Sequence, residues 1–259
     1  MLLKQQSLLS GHSLSLPDNL NSIINGSRLF SLKKHDATTT AGVVSGDAFG
    51  LPHDLFVKRF NYKSFFNFLL KYITGGRAKH LWDINLKLYE KGLSVPMPVG
   101  CIKPSFKEKI SFYISAVINN ADNLGNIYKR GLFNEPEKIA IITGKAVSEF
   151  HMSGAVHGDL KWSNILIQKN ADEWRPFIID LDQARIYKNL NIKGIIKDLM
   201  RFCRYGLELG AGEWVDSQFF PVYISLLTDE LKAKIDPVAI KNRAMYDWEK
   251  KGRRKFKVD

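Results

Sequence analysis

The sequence predicts an α+β chain in two lobes, a small antiparallel β-sheet with one main helix first and a larger, mainly helical part second. Three observations carry this. Short apolar bursts between turn residues crowd the stretch 28–60. Amphipathic helical patterns occupy 135–154 and 194–209. Between the two regions NNADNLGN, 119–126, is polar and turn-rich, as a hinge would be. The organisation is then an N-terminal extension at 1–27, a first lobe at 28–118 and a second lobe at 119–259.

Taken in order, residues 1–27 are rich in Ser, Asn and Leu and read as a loose extension. RLFSLKK, TTTAGVVSGDAF and DLFVKRF read as three successive antiparallel strands, with a turn at LPHD. NYKSFFNFLLKYITGG is dense in aromatics. In RAKHLWDINLKLYEKGL the residues Leu81, Ile84 and Leu88 fall at helical spacing, as do Trp82 and Tyr89, which are assigned to the core; Gly92 sits where the helix stops. VPMPVGCI returns to extended chain, because a residue before proline is pushed towards β, and Met97 fills a gap there. ISFYISAVI is another strand. EPEKIAIITGKAVSEFHMSG starts a helix at Pro136, with Ile139, Ile142, Ala146 and Phe150 on its apolar face. Strands at ILIQ and FIID flank a turn at KNADEWRP; GIIKDLMRFCRYGLEL, DSQFFPVYISLLTDELKAKI and PVAIKNRAMYDWEKKGRRKF read as helices.

The 259 residues are 45% apolar and 25% charged, ordinary for a folded chain, with a net charge of +12. That charge favours anionic partners: nucleic acid, anionic lipid or phosphorylated substrates. No nucleic-acid motif is present, so nucleic acid is not expected as a partner. Cys101 and Cys203 form no CxxC or zinc spacing and read as reduced and buried, which points to the cytoplasm. No apolar run is long enough for a signal peptide or a transmembrane helix. The aromatic stretch 62–73, interleaved with Lys63 and Lys71, reads as packing beneath the first lobe or as a surface meeting the membrane interface. The tail KKGRRKFKVD, with six basic residues in ten, reads as a solvated terminus or a contact with an anionic surface.

The stretch that carries chemistry is HGDLKWSN, 157–164, on a loop leaving a helix and entering a strand. Asp159 and Asn164 are five residues apart, and Asp180 ends the next strand in FIIDLDQAR. Three oxygen donors at one edge of a hairpin suit Mg²⁺, which keeps waters and phosphate oxygens for the rest of its shell. Phosphoryl transfer needs such an ion together with an acid that orients the attacking hydroxyl.

HGDLKWSN resembles the catalytic loop of the protein-kinase-like superfamily, and FIIDLDQAR resembles its metal-binding Asp segment. LFVKRF is similar to the strand that presents a phosphate-holding lysine, here Lys58. GGRAKHLWDINLKLYEKGLSVPMPVG resembles the bacterial lipopolysaccharide core kinases that phosphorylate Kdo or heptose, and the likeness runs from about residue 28 to 205. The resemblance implies a two-lobed protein-kinase-like fold using ATP and Mg²⁺. It makes Asp159 the base, with Lys161 near the transferred phosphoryl group, and Asn164 and Asp180 the metal ligands. Lys58 would contact the α- and β-phosphates, adenine would meet the backbone from Val117 to Asn119, and Asp198 would support the catalytic loop. His157 reads as a structural histidine hydrogen-bonded near the second acid, and Asp182 as a metal ligand or a polar anchor. The implied acceptor is the core glycolipid, met at the cytoplasmic face of the inner membrane on an anionic surface. Two departures stand out. KKHDATTTAG lacks a glycine-rich phosphate loop, leaving only backbone amides near Asp36 to Thr39, and the helix acid that should pair with Lys58 is replaced by Leu81, with Asp83 the nearest substitute and Glu90 a more distant one. The alternatives are a protein or small-molecule kinase of the same fold, or an ATP-binding pseudokinase scaffold.

Overall fold

The structure is a computed structural model that describes residues 30–49, 51, 53–62, 76–102, 109–131, 134–170 and 173–255. The expected extension at 1–27, the aromatic stretch beyond Tyr62 and the last four residues of the basic tail lie outside these. The described residues form two compact units. One holds those up to Lys91 together with Pro96–Ile118, the other Gly92–Val95 and those from Asn119 onward.

The first unit is built on a five-stranded antiparallel sheet of β1 (Phe30–His35), β2 (Thr39–Val44), β3 (Leu55–Asn61), β4 (Pro98–Ile102) and β5 (Ile110–Ala116), in the order β1-β2-β3-β5-β4. Val57 lies opposite Ile114 and Lys58 opposite Tyr113. Because strand side chains alternate between faces, Leu55, Val57, Phe112 and Ile114 share one face. With Val44, Val99 and Ile110 they form an apolar cluster, against which Met97 packs as the expected gap-filler. Lys58 and Tyr113 share the other face, and helix α1 (Gly76–Glu90) meets it there: buried Asn85 donates its side-chain amide to the Tyr113 hydroxyl, and to the Pro96 carbonyl at 2.9 Å.

Leu81, Trp82, Ile84 and Leu88 are buried as their spacing predicts, and Gly92 takes the left-handed conformation (φ 74) just past the helix end. Tyr89 is 38% exposed, which corrects its assignment to the core. It lies in the last turn beside the exposed residues Glu90, Lys91 and Gly92. The β1–β2 connection is a tight turn: Asp36 Oδ1 accepts from the Thr38 and Thr39 amides at 2.8 and 2.9 Å. Those two donors are spent inside the turn.

Of the expected hinge at 119–126, Asn119 and Asn120 form a turn at the start of the second unit, and 121–126 is regular structure. β6 (Ala121–Asn123) pairs with β8 (Ile165–Asn170), and Asn123 caps α2 (Leu124–Lys129) by accepting from the Asn126 amide at 2.9 Å, a contact worth about 1 kcal/mol. A three-residue strand owes its existence to a distant partner and leaves no local periodicity. Helix α3 (Pro136–Met152) begins at its proline as predicted, followed by β7 (Ala155–Val156). β8 pairs with β9 (Glu173–Ile178), so most of the expected turn KNADEWRP is strand; β10 (Arg185–Ile186) pairs with β7. Helix α4 (Ile192–Glu208) is capped by Asn191.

The single helix expected over 216–235 is broken. A π turn at Val215–Phe219 leads into α5 (Phe220–Ser225), and α6 (Asp229–Lys232) and α7 (Pro237–Lys255) follow. Pro221 has no N–H to give, which releases a carbonyl one turn back and lets the backbone widen. Trp162, Phe202, Trp214, Phe219 and Tyr223 interlock in this unit's core, with Phe202 stacked on Phe219 at 4.1 Å between centroids. Among the described residues no helix is long and apolar enough to cross a membrane. Neither cysteine is in a disulfide; Cys203 is buried, and Cys101 is only partly so, on a strand at the edge of the sheet among the described residues.

Candidate active site

The loop 157–164 runs from β7 into β8, and its geometry is set from beneath by α4. Asp198, fully buried, accepts from the His157 amide at 2.6 Å and the Gly158 amide at 3.0 Å. Two backbone donors on one carboxylate are what make burying that charge tolerable. Arg201 approaches the same carboxylate at 3.5 Å and His151 at 3.6 Å. The His151 ring also meets the Tyr223 hydroxyl at 2.9 Å, and burial, with the Asp198 charge nearby, pushes the Tyr223 phenol well above its ordinary range. The supporting role predicted for Asp198 therefore has a direct geometric form.

His157 ties the loop to the strand end that carries Asp180. Its Nε2–H donates to the Ile179 carbonyl at 2.9 Å, and its Nδ1 accepts from the Asp159 amide at 3.2 Å. Acceptance at Nδ1 needs the neutral ring, with its proton on Nε2. Burial, opposed by the Ile179 carbonyl and the nearby acids, lowers its pKa below the ordinary 6.5. As pH falls through about 6.5 the unfolded chain takes up this proton and the folded chain does not. The stability tied to His157 is thus present above that pH and is lost as pH falls towards the lower folded value, at about 1.4 kcal/mol per pH unit. His157→Gln should remove one proton's worth of that acid slope in urea denaturation. An unchanged slope would mean that the ring is not buried neutral.

Asp159 and Lys161 form an ion pair at 3.0 Å, each about a third exposed. Asn164 is buried, and its amide nitrogen donates to the Asp159 carbonyl at 2.9 Å, so its amide oxygen points elsewhere; its backbone carbonyl accepts from the Ile179 amide at 2.9 Å. Asp180 follows directly, exposed and in the left-handed conformation (φ 60, ψ 51) that few non-glycine residues adopt. Gly158 (φ +81) is demanded by close approach: a Cβ there would lie 2.9 Å from Gln183. The structure therefore brings Asp159, Lys161, Asn164 and the Asp180 strand end into one hydrogen-bonded assembly.

Of the remaining predicted residues, Lys58, Asp83 and Val117 belong to the first unit and Asn119 to the second. Lys58 is buried on β3, with its ammonium 5.8 Å from the Phe60 ring centroid. Asp83 on α1 bonds Lys79 one turn earlier, and Leu81 is buried. Val117 donates its amide to the Asp54 carbonyl, and the Asn119 carbonyl accepts from Gln168. The bond from His157 to the Ile179 carbonyl, next to Asp180, is of the kind expected for a structural histidine near the second acid; sequence reasoning missed the burial of Trp162 inside the loop.

Among the described residues no group of three or more His, Cys, Asp or Glu could hold a metal ion. The donors at hand are an amide oxygen and a carboxylate. Hard oxygens in such small number suit Mg²⁺ carried on phosphate groups and do not suit a transition-metal cage.

The five-stranded sheet with its helix, and the His-Gly-Asp loop held by a buried helix acid beside a second acid at a strand end, are features of a protein-kinase-like fold. The model of the lipopolysaccharide kinase (Kdo/WaaP) family matches residues 56–223, well over half of the chain. The chain belongs to that family. It is 25% identical over 120 residues to a 3-deoxy-D-manno-octulosonic acid kinase of Stenotrophomonas maltophilia (strain K279a), covering 44% of this chain and 46% of the relative. It is 26% identical over 134 residues to the EKC/KEOPS complex subunit BUD32 of Kluyveromyces lactis, covering 49% of each. The alignments thus span about half the length of these curated relatives. A solved structure of WaaP in complex with acyl carrier protein superposes with a TM-score of 0.62 at 17% identity, over 85% of this chain and 88% of that one. The likeness establishes the kinase-like fold.

Proposed function

We propose that the chain transfers the γ-phosphoryl group of ATP to a sugar hydroxyl, of heptose or Kdo, in the lipopolysaccharide inner core, at the cytoplasmic face of the inner membrane. The observation that carries this reading is the assembly of Asp159, Lys161, Asn164 and the Asp180 strand end around one neutral histidine, in a chain of the lipopolysaccharide kinase family. The net charge of +12 suits an acceptor rich in phosphate and carboxylate.

In this mechanism Asp159 accepts a hydrogen bond from the acceptor hydroxyl and orients its oxygen towards the phosphorus. Lys161 offsets charge on the transferred group; its pairing with Asp159 keeps the ammonium within reach of that position. Asn164 and Asp180 would hold Mg²⁺, which supplies charge neutralisation at the phosphates. Lys58 contacts the α- and β-phosphates. Adenine is read by the backbone of residues 117–119, where the Val117 carbonyl and the Asn119 amide have no hydrogen-bond partner among the described residues.

Leu81 in place of the usual helix acid favours a second reading, an ATP-binding scaffold without transfer. Incubation with labelled ATP and a panel of truncated core glycolipids, followed by mass spectrometry, decides between them. A gain of one phosphate on a heptose- or Kdo-terminated acceptor is expected. ATP binding without transfer to any member of the panel, to protein or to free sugars would leave the scaffold.

A further inference from the structure

The outer face of α4 carries Lys193, Lys197, Arg201 and Arg204 at helical spacing, on the side away from buried Ile195, Leu199 and Phe202. Like charges three and four residues apart destabilise a helix, and only Arg201 and Arg204 among these four have an acid of this unit within ion-pair distance among the described residues. They line an open cavity of about 580 Å³ between α4 and α7, with Arg243 and Asp247 on the α7 side. A second cavity of about 250 Å³ shares Lys193, Lys197 and Arg201, adds Arg185, and reaches Gly158 of the catalytic loop. Arg201 leans on Asp198 at 3.5 Å and Arg204 on Glu208 at 3.4 Å. Arg185, Lys193, Lys197 and Arg243 have no ion-pair partner among the described residues. A continuous run of cations with one facing acid, ending at the catalytic loop, is a place for an anion with more than one charged group.

We propose that this groove binds the phosphate or carboxylate groups that the glycolipid acceptor carries besides the hydroxyl to be phosphorylated. The identity of the ligand rests on the function proposed above; the anion site itself does not. The groove would anchor the acceptor by its fixed charges and so present one hydroxyl to Asp159. Nucleotide phosphates are handled elsewhere on the chain, so ATP affinity should not depend on it.

The test has two arms, both on the full chain. In the first, inorganic pyrophosphate is titrated calorimetrically, with the nucleotide site filled by a non-hydrolysable ATP analogue and Mg²⁺. Pyrophosphate should bind, about tenfold more weakly to Lys193→Gln/Lys197→Gln and unchanged to Lys145→Gln, an exposed lysine on α3. Equal binding by all three, or none, overturns the site. In the second arm the double variant should raise the acceptor KM about tenfold, with kcat and the ATP KM unchanged, on a core glycolipid that keeps its other phosphates, and little on the same acceptor stripped of them. An equal effect on both acceptors overturns the assigned ligand. If no glycolipid is phosphorylated while pyrophosphate binding is still lost in the variant, the function proposed above fails and the anion site stands.

Discussion

Asp159→Asn should lower phosphoryl transfer by about 10²–10⁴-fold while leaving nucleotide binding and the fold intact. That factor corresponds to about 3–5 kcal/mol of transition-state stabilisation. The local structure does not depend on the carboxylate: the Asp159 amide donates to His157 and its carbonyl accepts from Asn164, both through the backbone. Asparagine keeps the shape and loses only the ion pair with Lys161, which is a third exposed and worth about 0–1 kcal/mol. A structural role for Asp159 would therefore show as a small change in stability with no loss in rate. The measurement is single-turnover phosphorylation of a core glycolipid, beside calorimetric ATP binding and thermal unfolding of the same sample. A variant that transfers phosphate at the parent rate would remove Asp159 from the reaction and with it the assignment of the loop.

The elements legible in the sequence share one property: their signals are local. Pro136 at a helix start and Gly92 at a helix end act within one turn, and the structure has both where expected. The loop 157–164 stands out in the sequence because the chemistry proposed for it needs fixed residue types at fixed spacing. What was not legible depends on distant partners. β6 exists because β8 pairs with it, and the π turn before Pro221 forms within a packed aromatic cluster. Tyr89 has the spacing of a core residue but is 38% exposed. His157 was readable as structural, yet its tie to the Ile179 carbonyl crosses 22 residues. The basic face of α4 was visible in the spacing of Lys193, Lys197, Arg201 and Arg204, but such a row in a helix ordinarily reads as a solvated side. Only the cavity it lines gives it a second meaning.

The second large effect is on stability. Trp162→Ala should cost about 3–5 kcal/mol, the range for deleting a fully buried large aromatic. Trp162 is fully buried within the loop 157–164, between Lys161 and Asn164, and its ring meets Tyr128 at 5.8 Å, Phe202 at 5.6 Å and Trp214 at 5.3 Å between centroids. Gly206 on α4 leaves room for it: a Cβ there would stand 3.1 Å from the indole. The loop between the proposed base and the proposed metal ligand is thus pinned from below by one side chain. Its removal opens a cavity that rigid neighbours on α4 cannot fill, so transfer activity should fall together with stability. The indole Nε1–H has no hydrogen-bond partner among the described residues, so Trp162→Phe surrenders packing volume but no polar contact and should cost far less than the alanine variant. Urea denaturation followed by near-ultraviolet circular dichroism measures both variants against the parent. A loss below about 1 kcal/mol for alanine would mean that this ring does not anchor the loop.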